Sequence, residues 1–246
     1  MKLPISSLLL AALLLGAGLQ PALAQRKGKA AKTAAAGATR EAVLSSRSQP
    51  LFGGLSAVQA EQALGPATVT GLAGSFPSRA EASQFFSRKG YEYLAENQRD
   101  TAAYRFNLAW VLDPNNAEAY HGLGVVASSN PTPDQSIELL EKGLALAPAN
   151  SPLLADLGTS YLIRYEQGKK KKDLKTGTEL LQKATTQDAA NAAAWQQLAR
   201  AYYYQEQYAE AWDAVHKGQS TSVASVDFSL IADLLTHLPD PKGTFK

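Results

Sequence analysis

From about Ser78 onward, apolar side chains recur at the spacing of amphipathic helices, and the whole pattern repeats along the chain. One series of small residues is separated by 34, 34 and 41 positions: Gly90, Gly124, Gly158 and Ala199. One series of large residues is separated by 34, 41 and 34 positions: Phe106, Leu140, Leu181 and Val215. These registers predict a tandem array of helix pairs.

The glycines of this array need a packing reason, because glycine inside a helix costs about 1 kcal/mol relative to alanine. Two antiparallel helices that cross closely supply that reason, and the large residues then fill the space around the crossing. Pro114 and Pro148 are expected to end the second helix of a pair. Three residues fall where a side-chain oxygen can cap the next helix: Asn116, Asn150 and Asn191.

The pattern resembles the tetratricopeptide repeat (TPR) family. The segment FFSRKGYEY…TAAYRFNLAWVLDP carries the matching residues Phe86, Gly90, Tyr93, Ala102, Phe106, Ala109 and Pro114. The resemblance implies an all-α fold, namely a right-handed TPR solenoid of about four helix-turn-helix repeats with a C-terminal capping helix. We place the array and its cap at 78–238, with repeats at 83–116, 117–150, 151–191 and 192–225, and a tail at 239–246.

The third repeat is longer than the others by seven residues, which lie between Tyr161 and Gly177. This stretch contains four consecutive lysines, Lys169, Lys170, Lys171 and Lys172. We predict that it is an insertion in the turn between two helices, and that Thr176 with Glu179 caps the helix that follows. The run is either a solvated turn or a contact for an acidic partner or an anionic envelope polymer.

The N-terminal region predicts export. Residues 1–24 contain Lys2, a short apolar run and the ending Ala22-Leu23-Ala24, so we expect a signal peptide cleaved before Gln25. The alternative is an uncleaved anchor, although the apolar run is shorter than the ~20 residues that span a bilayer. We expect the protein in the periplasm or outside the cell, with no transmembrane segment after cleavage.

Two further segments precede the array. Residues 25–54 are rich in Ala, Gly, Ser and basic residues, which predicts a flexible tether. Residues 55–77 predict a short helix and a linker, with Ser56 and Gln59 as a capping box and Gly65-Pro66 as the end of the helix.

Composition argues against several classes of function. Without Lys2, 23 basic residues face 22 acidic ones, so no global positive field favours nucleic acid. There is no cysteine, hence no thiol nucleophile or disulfide, and the three histidines are far apart in sequence. No phosphate-loop, serine-hydrolase or zinc-protease motif occurs. We therefore predict no catalysis, no cofactor and no metal.

A ligand of such an array is expected on the face formed by the first helices of the pairs. The candidate contacts in this groove are Gln84, Tyr91, His121, Gln196, Arg200 and Tyr203. The leading hypothesis is an exported scaffold or adaptor that binds a protein or peptide there. The alternative is an envelope-associated protein that holds an anionic surface or acidic partner through the basic N-terminal arm and Lys169–Lys172.

Overall fold

Helices make up most of the computed structural model, which describes Glu41, Val43 and residues 45–246. No strand occurs in those residues, and none of their helices is long and apolar enough to cross a membrane. From Leu51 onward the helices are α1 (Leu51–Gly54), α2 (Ala57–Leu64), α3 (Pro66–Ala73), α4 (Arg79–Ala95), α5 (Arg99–Leu112), α6 (Ala117–Ala127), α7 (Asp134–Leu146), α8 (Ser151–Gly168), α9 (Lys171–Gln187), α10 (Ala192–Tyr204), α11 (Tyr208–Thr221) and α12 (Phe228–His237). The predicted signal peptide and residues 25–40 lie outside the described residues.

Helices α4 to α11 form four consecutive helix-turn-helix pairs. The partners in each pair pack along each other, and each pair also packs on the next one. Helix α12 buries Leu230, Ile231 and Leu234 against the last pair. The predicted fold class, an all-α array of about four pairs with a C-terminal capping helix, is confirmed.

The crossing of the two helices in a pair follows the glycine register. A Cβ placed on Gly90 would stand 2.5 Å from the Phe106 ring, and one on Gly158 would stand 2.7 Å from Leu181. Such distances are far inside van der Waals contact, so a side chain at either position would force Phe106 or Leu181 to shift. The prediction that small residues allow the two backbones to approach is confirmed.

The three predicted asparagine caps are also present. The side-chain oxygens of Asn116, Asn150 and Asn191 accept hydrogen bonds from backbone N–H groups in the first turns of α6, α8 and α10. Each side-chain amide also donates a hydrogen bond to the first helix of the preceding pair. The acceptors are Ser83 and Ser87 for Asn116, Glu118 for Asn150, and Ser151 for Asn191.

The lysine run does not form an inserted loop, so that prediction is wrong. Helices α8 and α9 are 18 and 17 residues long, and only Lys169 and Lys170 separate them. The neighbouring first helices α6 and α10 have 11 and 13 residues. The extra residues therefore lengthen both helices, because lysine is a good helix former. Thr176 lies inside α9, so the cap predicted there is wrong as well.

The predicted tether is wrong for Val43 and residues 45–54, which pack on the array. Val43 and Phe52 are 1% and 2% exposed, and Phe52 meets Tyr104 of α5 edge to face. The Asn107 side chain donates hydrogen bonds to the carbonyls of Arg47 and Gln49. Helix α5 is buried on almost every side, so its outer face needs this cover.

The segment before the array contains two helices where we predicted one. The Ser56–Gln59 capping box is present and begins α2. Gly65 ends α2, as predicted, but Pro66 then serves as the first residue of α3. At the other end of the chain, the tail packs back on α11: Asp240 bonds His216, and the Phe245 ring stacks on Trp212.

Candidate functional site

A hydrogen-bonded network joins the first helices of three successive pairs. His121 of α6 has Nε2 at 2.7 Å from Asp156 Oδ2 of α8 and Nδ1 at 3.0 Å from the Tyr91 hydroxyl of α4. The Tyr91 hydroxyl donates to Glu118 at 2.9 Å. The His121 side chain is 7% exposed, whereas the carboxylates of Glu118 and Asp156 are 46% and 47% exposed. The network thus holds two half-exposed carboxylates in fixed positions on the first-helix face, the side formed by α4, α6, α8 and α10.

The charges in this network favour a protonated imidazole. Burial opposes the charge on His121, but hydrogen bonds and the nearby charges of Asp156 and Glu118 outweigh burial and raise its pKa to about 9. His121, with Nδ1 3.9 Å from the Glu118 carboxylate, lowers the pKa of Glu118, helped by the hydrogen bonds from Tyr91 and Asn150. Burial, with the adjacent carboxylates, raises the pKa of Tyr91, which therefore remains a donor. At neutral pH, His121 carries a proton on each ring nitrogen.

The predicted groove residues take different places. Tyr91 and His121 belong to the network, so their polar atoms are already engaged within the fold. Gln84 is exposed on α4, and Gln196 is half-buried on α10. Arg200 forms an ion pair with Asp227.

The remaining groove residue, Tyr203, packs against other aromatic rings. It contacts the Tyr208 ring and His237 of the capping helix, and those two rings stack 4.5 Å apart. Tyr203 therefore links the last repeat to its cap, and of the six candidates Gln84 and Gln196 are the least engaged within the fold.

Glu118 and Asp156 were not among the predicted contacts of this site. A signal was present, because residues about one repeat apart lie side by side on adjacent first helices. Asp156 follows His121 by 35 positions, close to the 34-residue period. The acid thus falls beside the histidine on the next first helix.

A separate cleft of about 720 Å³ opens between α9 and the turn that joins α10 to α11. Its lining residues are Tyr165, Lys171, Leu174, Lys175, Thr178, Glu179, Gln182, Tyr204, Gln205 and Glu206. Lys169 adjoins it, with Nζ 5.2 Å from the centre of the Tyr165 ring and 6.0 Å from that of Tyr204. All four residues of the lysine run are exposed. The run thus stands at the edge of a concave surface.

In the part of the chain that the structure describes, no three histidine, aspartate or glutamate side chains are arranged to hold a metal ion. The Glu118–His121–Asp156 cluster is accordingly a hydrogen-bonded network, in which both ring nitrogens of the histidine are engaged.

No family model matches the sequence, and no curated protein matches it. Several solved structures do resemble the fold. PilF of Pseudomonas aeruginosa is 24% identical with a TM-score of 0.54, over 64% of this chain and 69% of PilF. TTC0263, a thermophilic TPR protein of Thermus thermophilus, is 19% identical with a TM-score of 0.55, over 63% of this chain and 81% of its own.

A chain of the APC/C hetero-tetramer Cut9–Hcn1 is 19% identical with a TM-score of 0.52. That match covers 81% of this chain and 39% of the other. The fold is TPR-like. At these identities the likeness concerns the arrangement of helices, and it assigns no ligand to either surface.

Proposed function

We propose that the protein is a non-catalytic scaffold that binds a protein or peptide partner on its first-helix face. The observation that carries this proposal is the Tyr91–Glu118–His121–Asp156 network. It fixes polar groups from three pairs on one surface before any partner arrives, which reduces the entropy lost on binding. The likeness to a TPR protein and to a chain of a hetero-tetramer supports the same class of function.

Within this proposal, the contacts are exposed or half-buried groups on the first-helix face. Gln84 and Gln196 offer amide donors and acceptors, while Glu118 and Asp156 offer carboxylates. His121 is buried, so its role is to position the two carboxylates for the partner. An extended peptide suits such a mixed polar surface.

Export is part of the proposal. The support is the sequence of residues 1–24, with its short apolar run and Ala22-Leu23-Ala24 ending. We expect the protein in the periplasm or outside the cell, with Gln25 as the mature N-terminus. Mass spectrometry of the exported protein tests this, and an intact segment 1–24 would refute it.

A second candidate function is association with an anionic envelope surface. The exposure of all four residues of Lys169–Lys172 favours it, and the basic segment from 25 to 40 adds charge of the same sign. Attraction between exposed charges is screened by salt, with a Debye length of about 8 Å at physiological ionic strength. Salt therefore separates the two candidates.

The test is chemical cross-linking of the tagged chain in an envelope extract at low and high salt, with cross-linked residues mapped by mass spectrometry. We expect cross-links on the first-helix face that persist at high salt and are lost when Gln84→Arg is combined with Gln196→Arg. Gln135→Arg, on the exposed side of a second helix, is the control. Cross-links that are lost at high salt, or that remain unchanged when both first-helix substitutions are present, would refute the scaffold and favour the anionic surface.

A further inference from the structure

The cleft beside α9 exists because repeat three is longer than its neighbours. The first two turns of α9 contain Lys171, Leu174 and Lys175. The cleft lies between these residues and the end of the shorter helix α10. Across it stand Tyr204, at the end of α10, and the turn residues Gln205 and Glu206. The seven extra residues therefore build a concavity beyond what packing of the pairs requires.

The walls of this cleft are held in place. The Gln205 side-chain amide donates a hydrogen bond to Thr178, and Gln182 donates one to the Tyr202 hydroxyl at 3.0 Å. Both bonds join α9 to the fourth pair. Binding there would require little reordering of the protein, which favours affinity.

The floor and the aromatic wall give the cleft an apolar part. Leu174 is 7% exposed at its base. The rings of Tyr165 and Tyr204 lie 5.5 Å apart, and the Tyr204 hydroxyl is bonded to Glu166. The volume of about 720 Å³ falls within the range of ligand pockets and accommodates a few side chains. Binding by charge alone, on a flat surface of this protein, would not require an apolar base of this kind.

Charge is distributed unevenly along the cleft. Lys171 and Lys175 are four residues apart and share one side of α9, and Lys169 stands beside the tyrosines. The positive end of the helix dipole lies at the same place, and Lys170 makes no side-chain cap there.

The carboxylates near the cleft do not cancel this charge at the tip. Glu179 lies one turn after Lys175, with its Oε1 3.9 Å from Lys175 Nζ, while Glu206 lies in the opposite turn and Glu166 is bonded to Tyr204. Buried Asp173 is paired with Arg164. Lys169–Lys172, where α8 meets α9, therefore leave an excess of positive charge at one end of the cleft.

We infer that this cleft binds an acidic segment of a partner protein, with carboxylates against Lys171 and Lys175 and an apolar side chain against the paired rings of Tyr165 and Tyr204. The basic segment from 25 to 40 of the same chain carries the wrong charge to be the occupant. The inference rests on the proposed scaffold function, and it adds a second binding surface, distinct from the first-helix face, with a stated partner chemistry.

The experiment uses the full chain and fluorescent hexapeptides in a polarisation titration. The probe is Glu-Asp-Phe-Leu-Asp-Glu, the uncharged comparison is Gln-Asn-Phe-Leu-Asn-Gln, and the apolar comparison is Glu-Asp-Ala-Ala-Asp-Glu. A parallel sedimentation assay uses vesicles of phosphatidylglycerol and phosphatidylcholine. The cleft variant combines Lys171→Gln with Lys175→Gln, and a control of equal charge combines Lys142→Gln with Lys183→Gln. All four lysines are exposed, so circular dichroism should show unchanged helicity.

We expect the probe to bind more tightly than both comparison peptides, with affinity about fivefold lower in the cleft variant and nearly unchanged in the control. Equal losses in the two variants would show general charge attraction and overturn the inference. Absence of probe binding, or sedimentation with vesicles without probe binding, would also overturn it. If the probe fails while Gln84→Arg with Gln196→Arg still abolishes cross-linking, the scaffold proposal stands alone.

Discussion

Gly124 faces Leu140 across the second helix pair so closely that a Cβ on Gly124 would stand 2.6 Å from Leu140 Cγ. Gly124→Ala should therefore destabilise the fold by about 1–3 kcal/mol, although alanine is the better helix former. Gly71→Ala is the matched control, because nothing lies within 4 Å of its added Cβ. Urea denaturation of both variants measures the difference. Equal stability of the two would contradict the close crossing.

The His121 network predicts a loss of stability at alkaline pH. Its pKa of about 9 in the folded chain exceeds the ordinary value of 6.5. Protonated His121 therefore stabilises the fold fully below about pH 6.5, and this contribution, on the order of 3 kcal/mol, is lost as pH rises through 9. Denaturation at several pH values, with an NMR titration of the imidazole, measures both quantities.

Asp156→Asn is the control for that titration. Loss of this carboxylate should lower the pKa of His121 and flatten the dependence of the unfolding free energy on pH between 6.5 and 9. An unchanged slope in the variant would mean that other groups cause the pH dependence.

The packing of Val43 and residues 45–54 should depend on Asn107. Asn107→Ala removes the donors to the carbonyls of Arg47 and Gln49, which lie 2.9 and 2.8 Å from its Nδ2. We expect a loss of about 1–3 kcal/mol and faster protease cleavage between residues 45 and 54. Asn130→Ala, which removes an exposed bond to Gln135, should change neither. Unchanged cleavage in the Asn107 variant would show that apolar contacts alone hold the segment.

The turn between α10 and α11 contains a strained residue. Glu206 has a φ of 60°, in the left-handed region that side chains other than glycine adopt at a cost. Glu206→Gly relieves a cost of about 1–2 kcal/mol, and the greater chain entropy of glycine offsets about 0.5–1 kcal/mol of it, so the free energy of unfolding should rise by about 0.5–1 kcal/mol. The adjacent Gln207→Gly should not, since Gln207 has a φ of −89°. Thermal denaturation of the pair checks this, and a lower melting temperature for Glu206→Gly would be the contrary result.

The repeat period was sufficient to predict the fold. Intervals of 34 residues identify positions that share one environment, so Gly90 and Gly124 revealed the crossing, and Asn116 and Asn150 revealed the helix starts. The period could not say how the seven extra residues of repeat three would fold. A lysine-rich stretch is compatible with a loop or with a helix, and packing on the neighbouring pair decides between them.

The packing of Val43 and residues 45–54 was harder to predict from their own composition, which resembles that of a flexible tether. The informative signal lay elsewhere, in RFNLAWVL of α5, where apolar residues occupy every side of the helix. A helix of that kind needs cover on its outer face. The sequence also could not distinguish free candidate contacts from those already bonded within the fold. Tyr91 and Gln84 share a helix, and only the position of His121 shows that Tyr91 is the one already engaged.

Each asparagine cap has a consequence for how the array opens. Because Asn150 both begins α8 and binds Glu118 in the pair before it, the first turn of α8 cannot fray without breaking a contact in its neighbour. The same holds for Asn191 and Ser151. Helix ends elsewhere are the first places to exchange their amide hydrogens. In this chain, the amide hydrogens at the starts of α8 and α10 should exchange as slowly as those of the helix interiors. Neighbouring pairs should therefore open together.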